Sequence, residues 1–119
     1  MLYYKKLEDY KNSVKRLLSE YESLHTEHSQ VELLFDDARL RSMAVRVGWM
    51  KRKRIHLCLV HIDICDEMII IQCNNTEDLL IAELEAMGIP RQRISLGFLP
   101  PEVRALSNHY VSEGMLEPA

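Results

Sequence analysis

Glycine is scarce in this sequence. The four glycines, Gly48, Gly88, Gly97 and Gly114, stand apart, so there is no glycine-rich loop to cradle a nucleotide phosphate. No CxxC or HxxxH pair occurs anywhere, which removes the common zinc signatures. The three cysteines, Cys58, Cys65 and Cys73, cannot all pair within one chain. The N-terminus lacks an apolar run of signal-peptide type, so the expectation is a cytoplasmic protein with reduced thiols. No uncharged run comes near the roughly 18 apolar residues that a membrane span needs. What remains is 119 residues, 47% apolar and 28% charged, enough for one packed domain and not for two. No linker divides the chain, and residues 112–119 read as a loose tail.

The net charge of -3 conceals a segregation. From Ala38 to Ile62 there are seven cations (Arg39, Arg41, Arg46, Lys51, Arg52, Lys53, Arg54) and no acid; from Asp63 to Pro90 there are seven acids and neither lysine nor arginine. Such blocks either neutralise each other in the fold or build a potential that steers a partner.

Hydrophobic spacing divides the chain into elements. Tyr3, Leu7, Tyr10, Val14, Leu17, Tyr21 and Leu24 recur at alternating intervals of four and three, which predicts one helix over residues 1–24 with a single apolar stripe. That stripe suits either packing on a sheet or, through Tyr3, Tyr10 and Tyr21, association with a protein partner or a second copy. From Val31 the period becomes two. Strands are expected at 31–36, at 42–49 with Met43, Val45, Val47 and Trp49 alternating with Ser42, Ala44, Arg46 and Gly48, at 54–64, and at 68–73. Short connections between them point to a four-stranded antiparallel sheet. A second helix near 76–87 is capped by Asn75 or Thr76, carries Glu77 and Asp78 in its first turn, and stops at Gly88 and Pro90. Ile94 to Phe98 suits a short strand, and Pro101 opens a short helix through Leu106. The fold class expected is α+β.

Chemistry-bearing residues are few. On a regular strand Ile55, Leu57, Leu59, His61 and Asp63 share a face, with His61 and Asp63 about 7 Å apart along it. An imidazole beside a carboxylate suits acid-base work, and Glu102 and Arg104 are the further polar candidates. No nucleophile accompanies them, and strand-end residues of this kind commonly bond to backbone and turns. Catalysis is therefore not expected, and a hydrolase using His61 and Asp63 is the alternative. Cys58, His61, Cys65 and Cys73 have spacings that superficially suit zinc, but Cys58 and His61 point to opposite faces of a regular strand; neither metal nor cofactor is expected. Lys51-Arg52-Lys53-Arg54 is the strongest local feature. Four adjacent cations suit DNA phosphates or an acidic protein surface, yet a charged hairpin turn also serves to discourage edge pairing.

Several segments resemble the XisI family, the fdxN-element excision controlling factors of cyanobacteria. They are Val45-Arg46-Val47-Gly48-Trp49, Leu59-Val60-His61-Ile62-Asp63-Ile64, Ile71-Gln72-Cys73-Asn74-Asn75-Thr76-Glu77, Ile81-Ala82-Glu83-Leu84, Met87-Gly88-Ile89-Pro90, Ile94-Ser95-Leu96-Gly97-Phe98 and Pro100-Pro101-Glu102-Val103-Arg104. The order and spacing hold from about residue 31 to 111. One departure lies at Cys65 to Ile71, where the family usually has a glycine turn and a tryptophan, and where Glu67 and Ile70 stand here. The resemblance implies an accessory role beside a XisH-like partner in excision of a DNA element during heterocyst differentiation. It implies no enzymatic activity for this chain.

Overall fold

The computed structural model describes residues 2–103, with side chains from residue 6 onward. The expected tail at 112–119, the end of the helix expected at 101–106, Arg104 and the Tyr3 side chain lie outside the described residues. Helix α1 (Leu2–Ser19) opens the chain and tightens into a 3-10 turn over Glu20–Ser23. The expected helix runs on to Leu24, but the Ser19 hydroxyl donates to the Lys15 carbonyl at 2.6 Å and Ser23 does the same to Glu20 at 3.2 Å. Side chains that bond back to the preceding turn loosen an α-helix at its end.

Four strands follow in antiparallel succession: β1 (Ser29–Asp36), β2 (Arg41–Met50), β3 (Lys53–Cys65) and β4 (Met68–Asn74). The turns between them differ in chemistry. Asp36 accepts the Ala38 and Arg39 backbone N–H groups with one carboxylate oxygen, closing the first turn. Lys51 enters the second at a φ of 57°, and Asp66 and Glu67 make the third with φ of 51° and 62°. Two successive left-handed residues are what a tight hairpin needs, and they strain any side chain with a Cβ.

After β4 the structure departs from expectation. Helix α2 covers only Leu80–Ala86. Asn74 captures the residues expected to begin it: its Oδ1 accepts the Thr76 N–H and hydroxyl, and its Nδ2 donates to the Asp78 carbonyl. Asn and Thr side chains satisfied in this way hold a loop instead of capping a helix. Gly88 at φ 97° ends the helix where the sequence indicated. A fifth strand, β5 (Ile94–Leu96), then joins the sheet parallel to β4, so the order is β1-β2-β3-β4-β5 and the sheet is five-stranded and mixed. The four-stranded antiparallel expectation is corrected on this point. Residues 75–93, which include α2, are long enough for the crossover that a parallel pair requires. Pro101 opens the short helical turn at 101–103.

Both helices pack on one face of the sheet. Val14, Leu17, Leu18, Leu80 and Leu84 meet Ala44, Val60, Ile62, Ile69, Ile71, Ile94 and Leu96 in one buried cluster. Two irregularities decide which side chains join it. Leu59 is an extra residue of β3 opposite β2, and Gln72 an extra residue of β4 opposite β3. Each bulge reverses the alternation beyond it. Ile55 and Leu57 therefore share the helix face with Val60, Ile62 and Ile64, whereas Cys58, His61 and Asp63 lie on the other face, paired with Val45, Met43 and Arg41. The regular-strand expectation, with Ile55, Leu57, His61 and Asp63 together and Cys58 opposite His61, is corrected by the bulge. Gly48 marks a close approach: a Cβ there would run into the His28 carbonyl and the Ser29 backbone.

Candidate functional site

The end of the β2–β3 hairpin carries the sequence's strongest charge signal. Lys51, Arg52, Lys53 and Arg54 are all exposed, and none enters an ion pair among the described residues. The acids of the following block therefore leave this end of the hairpin positive. Apolar surface accompanies the charge, with Trp49 54%, Met50 49% and Leu57 42% exposed. The Arg54 guanidinium lies 5.2 Å from the Trp49 ring centre and donates to the Gly48 carbonyl at 3.3 Å, which fixes its stem while its charge stays in water. Beneath this arm a polar groove of about 910 Å³ is lined by Glu22, His25, Glu27, His28, Glu32 and Arg54 among others.

The candidate polar residues are brought together only in part. His61 Nε2 lies 2.8 Å from Asp63 Oδ1. The second carboxylate oxygen accepts the Gln72 amide at 3.1 Å. Sequence reading missed Gln72: period two puts it on the face of Ile70, which pairs with Asp63, but the register between the two strands leaves no local signal. Glu102 is exposed on the turn at 101–103 and makes no hydrogen bond to either residue. The pair orients an imidazole, and among the described residues no hydroxyl or thiol is hydrogen-bonded to it as a nucleophile would be.

Cys58 and Cys73 are neighbours, a contact the sequence did not indicate. The Cys73 sulfur lies 3.7 Å from the Cys58 carbonyl oxygen, and the Asn75 amide donates both to that oxygen at 2.9 Å and to the Cys73 sulfur at 3.3 Å. Burial and the adjacent Cys73 push the Cys58 thiol up to about 11, so it is held in the unreactive protonated form. Among the described residues no group of three or more His, Cys, Asp and Glu side chains is placed to hold a metal ion, and no helix is long and apolar enough to cross a membrane.

The tyrosine interface is corrected. Tyr10 and Tyr21 are 7% and 4% exposed and belong to the core. The Tyr21 hydroxyl donates to Asp78 at 2.6 Å; burial and that carboxylate push the phenol up from its ordinary value. The stripe on α1 is used within the fold because the sheet offers the larger apolar surface.

Comparison with known proteins places this architecture. The family model described as XisI protein matches residues 4–111. A crystal structure of a XisI-like protein from Anabaena variabilis has 35% identity and a TM-score of 0.81, covering 89% of this chain and 99% of its own. The fdxN element excision controlling factor XisI from the same organism has 26% identity and a TM-score of 0.72, covering 83% and 98%. No curated protein matches. With the family model spanning nearly the whole sequence and the same fold in both solved relatives, this chain belongs to the XisI family.

Proposed function

We propose that this chain is a non-catalytic accessory factor that controls site-specific excision of a DNA element, acting with a XisH-like partner during heterocyst differentiation. The observation that carries the reading is the likeness, over 83% of the chain, to a protein named as an fdxN element excision controlling factor. The chemistry of the fold supports it. His61 and Gln72 are each hydrogen-bonded to Asp63, and exposed, uncompensated surface lies on the β2–β3 arm. An accessory factor needs surface of that kind more than it needs an activated group.

The test is reconstitution. A XisH-like protein, a site-specific recombinase and a plasmid bearing its two sites are assayed with and without this chain, and the chain is immobilised to retain the XisH-like protein. The expected outcome is retention, and an excision yield that changes on adding the wild-type chain and equally on adding a His61→Ala variant. Hydrolysis of a small substrate by the wild type, lost in a folded His61→Ala protein, would overturn the accessory role in favour of a hydrolase.

A further inference from the structure

The β2–β3 arm has a second property besides its charge: one edge of its backbone is open. β2 pairs with β3 from Lys53 to Asp63, whereas β4 pairs with it only from Val60 to Cys65. On the β4 side the last captured groups are the Cys58 and Leu59 carbonyls, which accept the Asn75 side-chain amide and backbone N–H. Backbone groups on an antiparallel strand alternate in direction. Because Cys58 faces the β4 side, His56 and Arg54 do so as well. The other strand agrees: Trp49, opposite Arg54, sends its N–H to the His28 carbonyl on the β1 side at 3.0 Å. Among the described residues nothing meets the N–H and C=O groups of Arg54 and His56.

Side chains along this edge are equally specific. Ile55 and Leu57 stand on one face, Arg54 and His56 on the other, and Lys51, Arg52 and Lys53 surround the tip. We propose that the free edge Lys53–Leu57 receives an extended, acidic segment of a protein partner as an added strand. This rests on the accessory reading above and names the surface through which such a factor engages its partner. Backbone hydrogen bonds supply affinity in strand addition, and alternate side chains supply specificity. The matching segment alternates apolar residues, which cover Ile55 and Leu57, with acids, which meet Arg54 and the tip cations.

Charge complementarity selects this occupant over two others. A second copy pairing antiparallel through the same edge would set its own Lys53 and Arg54 along this strand and bring no acid to either cationic tip, so the charge would stay unmatched. A DNA duplex satisfies the cations through its phosphates but leaves the His56 and Arg54 backbone groups and the Leu57 side chain unmatched. A protein strand satisfies all three.

The experiment uses the intact chain and three probes: a fluorescent ten-residue peptide alternating Glu and Val, its Lys-Val counterpart, and a DNA duplex of about 20 base pairs. His56→Pro removes an N–H that points away from β2, so it blocks an added strand while sparing the β2 ladder. Ile55→Lys combined with Leu57→Lys is the second variant, should the proline disturb folding. The Glu-Val peptide is expected to bind and to slow amide exchange at Arg54 and His56. Its affinity is expected to fall about tenfold or more in either variant, and the Lys-Val peptide is expected not to bind. Equal binding by wild type and both variants, or no protection of those amides, would overturn strand addition. Binding of the duplex in preference to the peptide would assign the arm to DNA, and concentration-dependent dimerisation through His56 would assign it to a second copy; either outcome sinks the proposal. Retention of a XisH-like protein by the wild type and by both variants alike would reject this surface and leave the accessory reading standing, whereas no retention by the wild type would fail that reading itself.

Discussion

The two halves of β3 both alternate apolar with polar residues, yet they sit in different surroundings. From Val60 to Asp63, a strand lies on each side and both helices cover one face, so Val60 and Ile62 are almost wholly buried. From Lys53 to Leu57 only β2 is alongside, and Leu57 remains 42% exposed. An apolar side chain stabilises a fold by the water it excludes, and without a covering element it excludes little. The comparison separates residues retained for folding from residues left available for contact.

Truncation should break this symmetry most sharply. Ile62→Ala is expected to cost about 2–5 kcal/mol, the range for a core isoleucine whose cavity cannot collapse. Leu57→Ala is expected to stay within about 0.5–1 kcal/mol, as for a surface position. Denaturant unfolding monitored by circular dichroism measures both, and equal losses would mean that the arm is covered.

The helix-covered half is also tied down by Tyr21 and Asp78, so Tyr21→Phe should cost about 1–2 kcal/mol by removing a hydrogen bond to a charged group. The pH dependence has a definite sign. The phenol is raised in the folded state, so its contribution is full below the unfolded value near pH 10 and is lost as pH rises above that value. Between pH 8 and 11 the wild type should lose more stability than the Phe variant; identical curves would show that the bond does not persist in solution.

The smallest effect expected is a gain, at the hairpin that joins β3 to β4. Glu67 adopts φ 62°, a conformation costing a residue with a Cβ about 1 kcal/mol. Relief of that strain is partly offset by the freer unfolded chain that glycine brings, about 0.4–1 kcal/mol. Glu67→Gly should therefore raise stability by no more than about 0.6 kcal/mol, seen as a shift in the denaturation midpoint, and a loss would show that the Glu67 side chain and the stiffer unfolded chain outweigh the backbone strain.

Much of the fold is legible in the sequence because local patterns report it directly. The alternating four-three spacing identified the apolar face of α1 and of the 3-10 turn after it, and Tyr10 and Tyr21 belonged to it. Period two located the four long strands, Gly88 and Pro90 marked the end of α2, and the uninterrupted cations at 51–54 marked an exposed hairpin end. Legibility failed where one residue's fate depends on another far along the chain. Asn74 diverts Thr76 and Asp78 from the helix, and Ile94 to Leu96 carry no sign of which strand they join or in which direction.

The sequence by itself determined the periodicities, the charge blocks and most element boundaries, since these follow from side-chain spacing and backbone preference over a few residues. Only the tertiary structure decided the faces. One extra residue at Leu59 turns Ile55 and Leu57 toward the helix side and places Cys58 with His61 and Asp63; another at Gln72 sets Cys73 opposite His61. A strand's alternation is a parity, and a bulge changes it at the point where two strands no longer match in length. That mismatch is a property of paired strands, so no single strand's sequence records it.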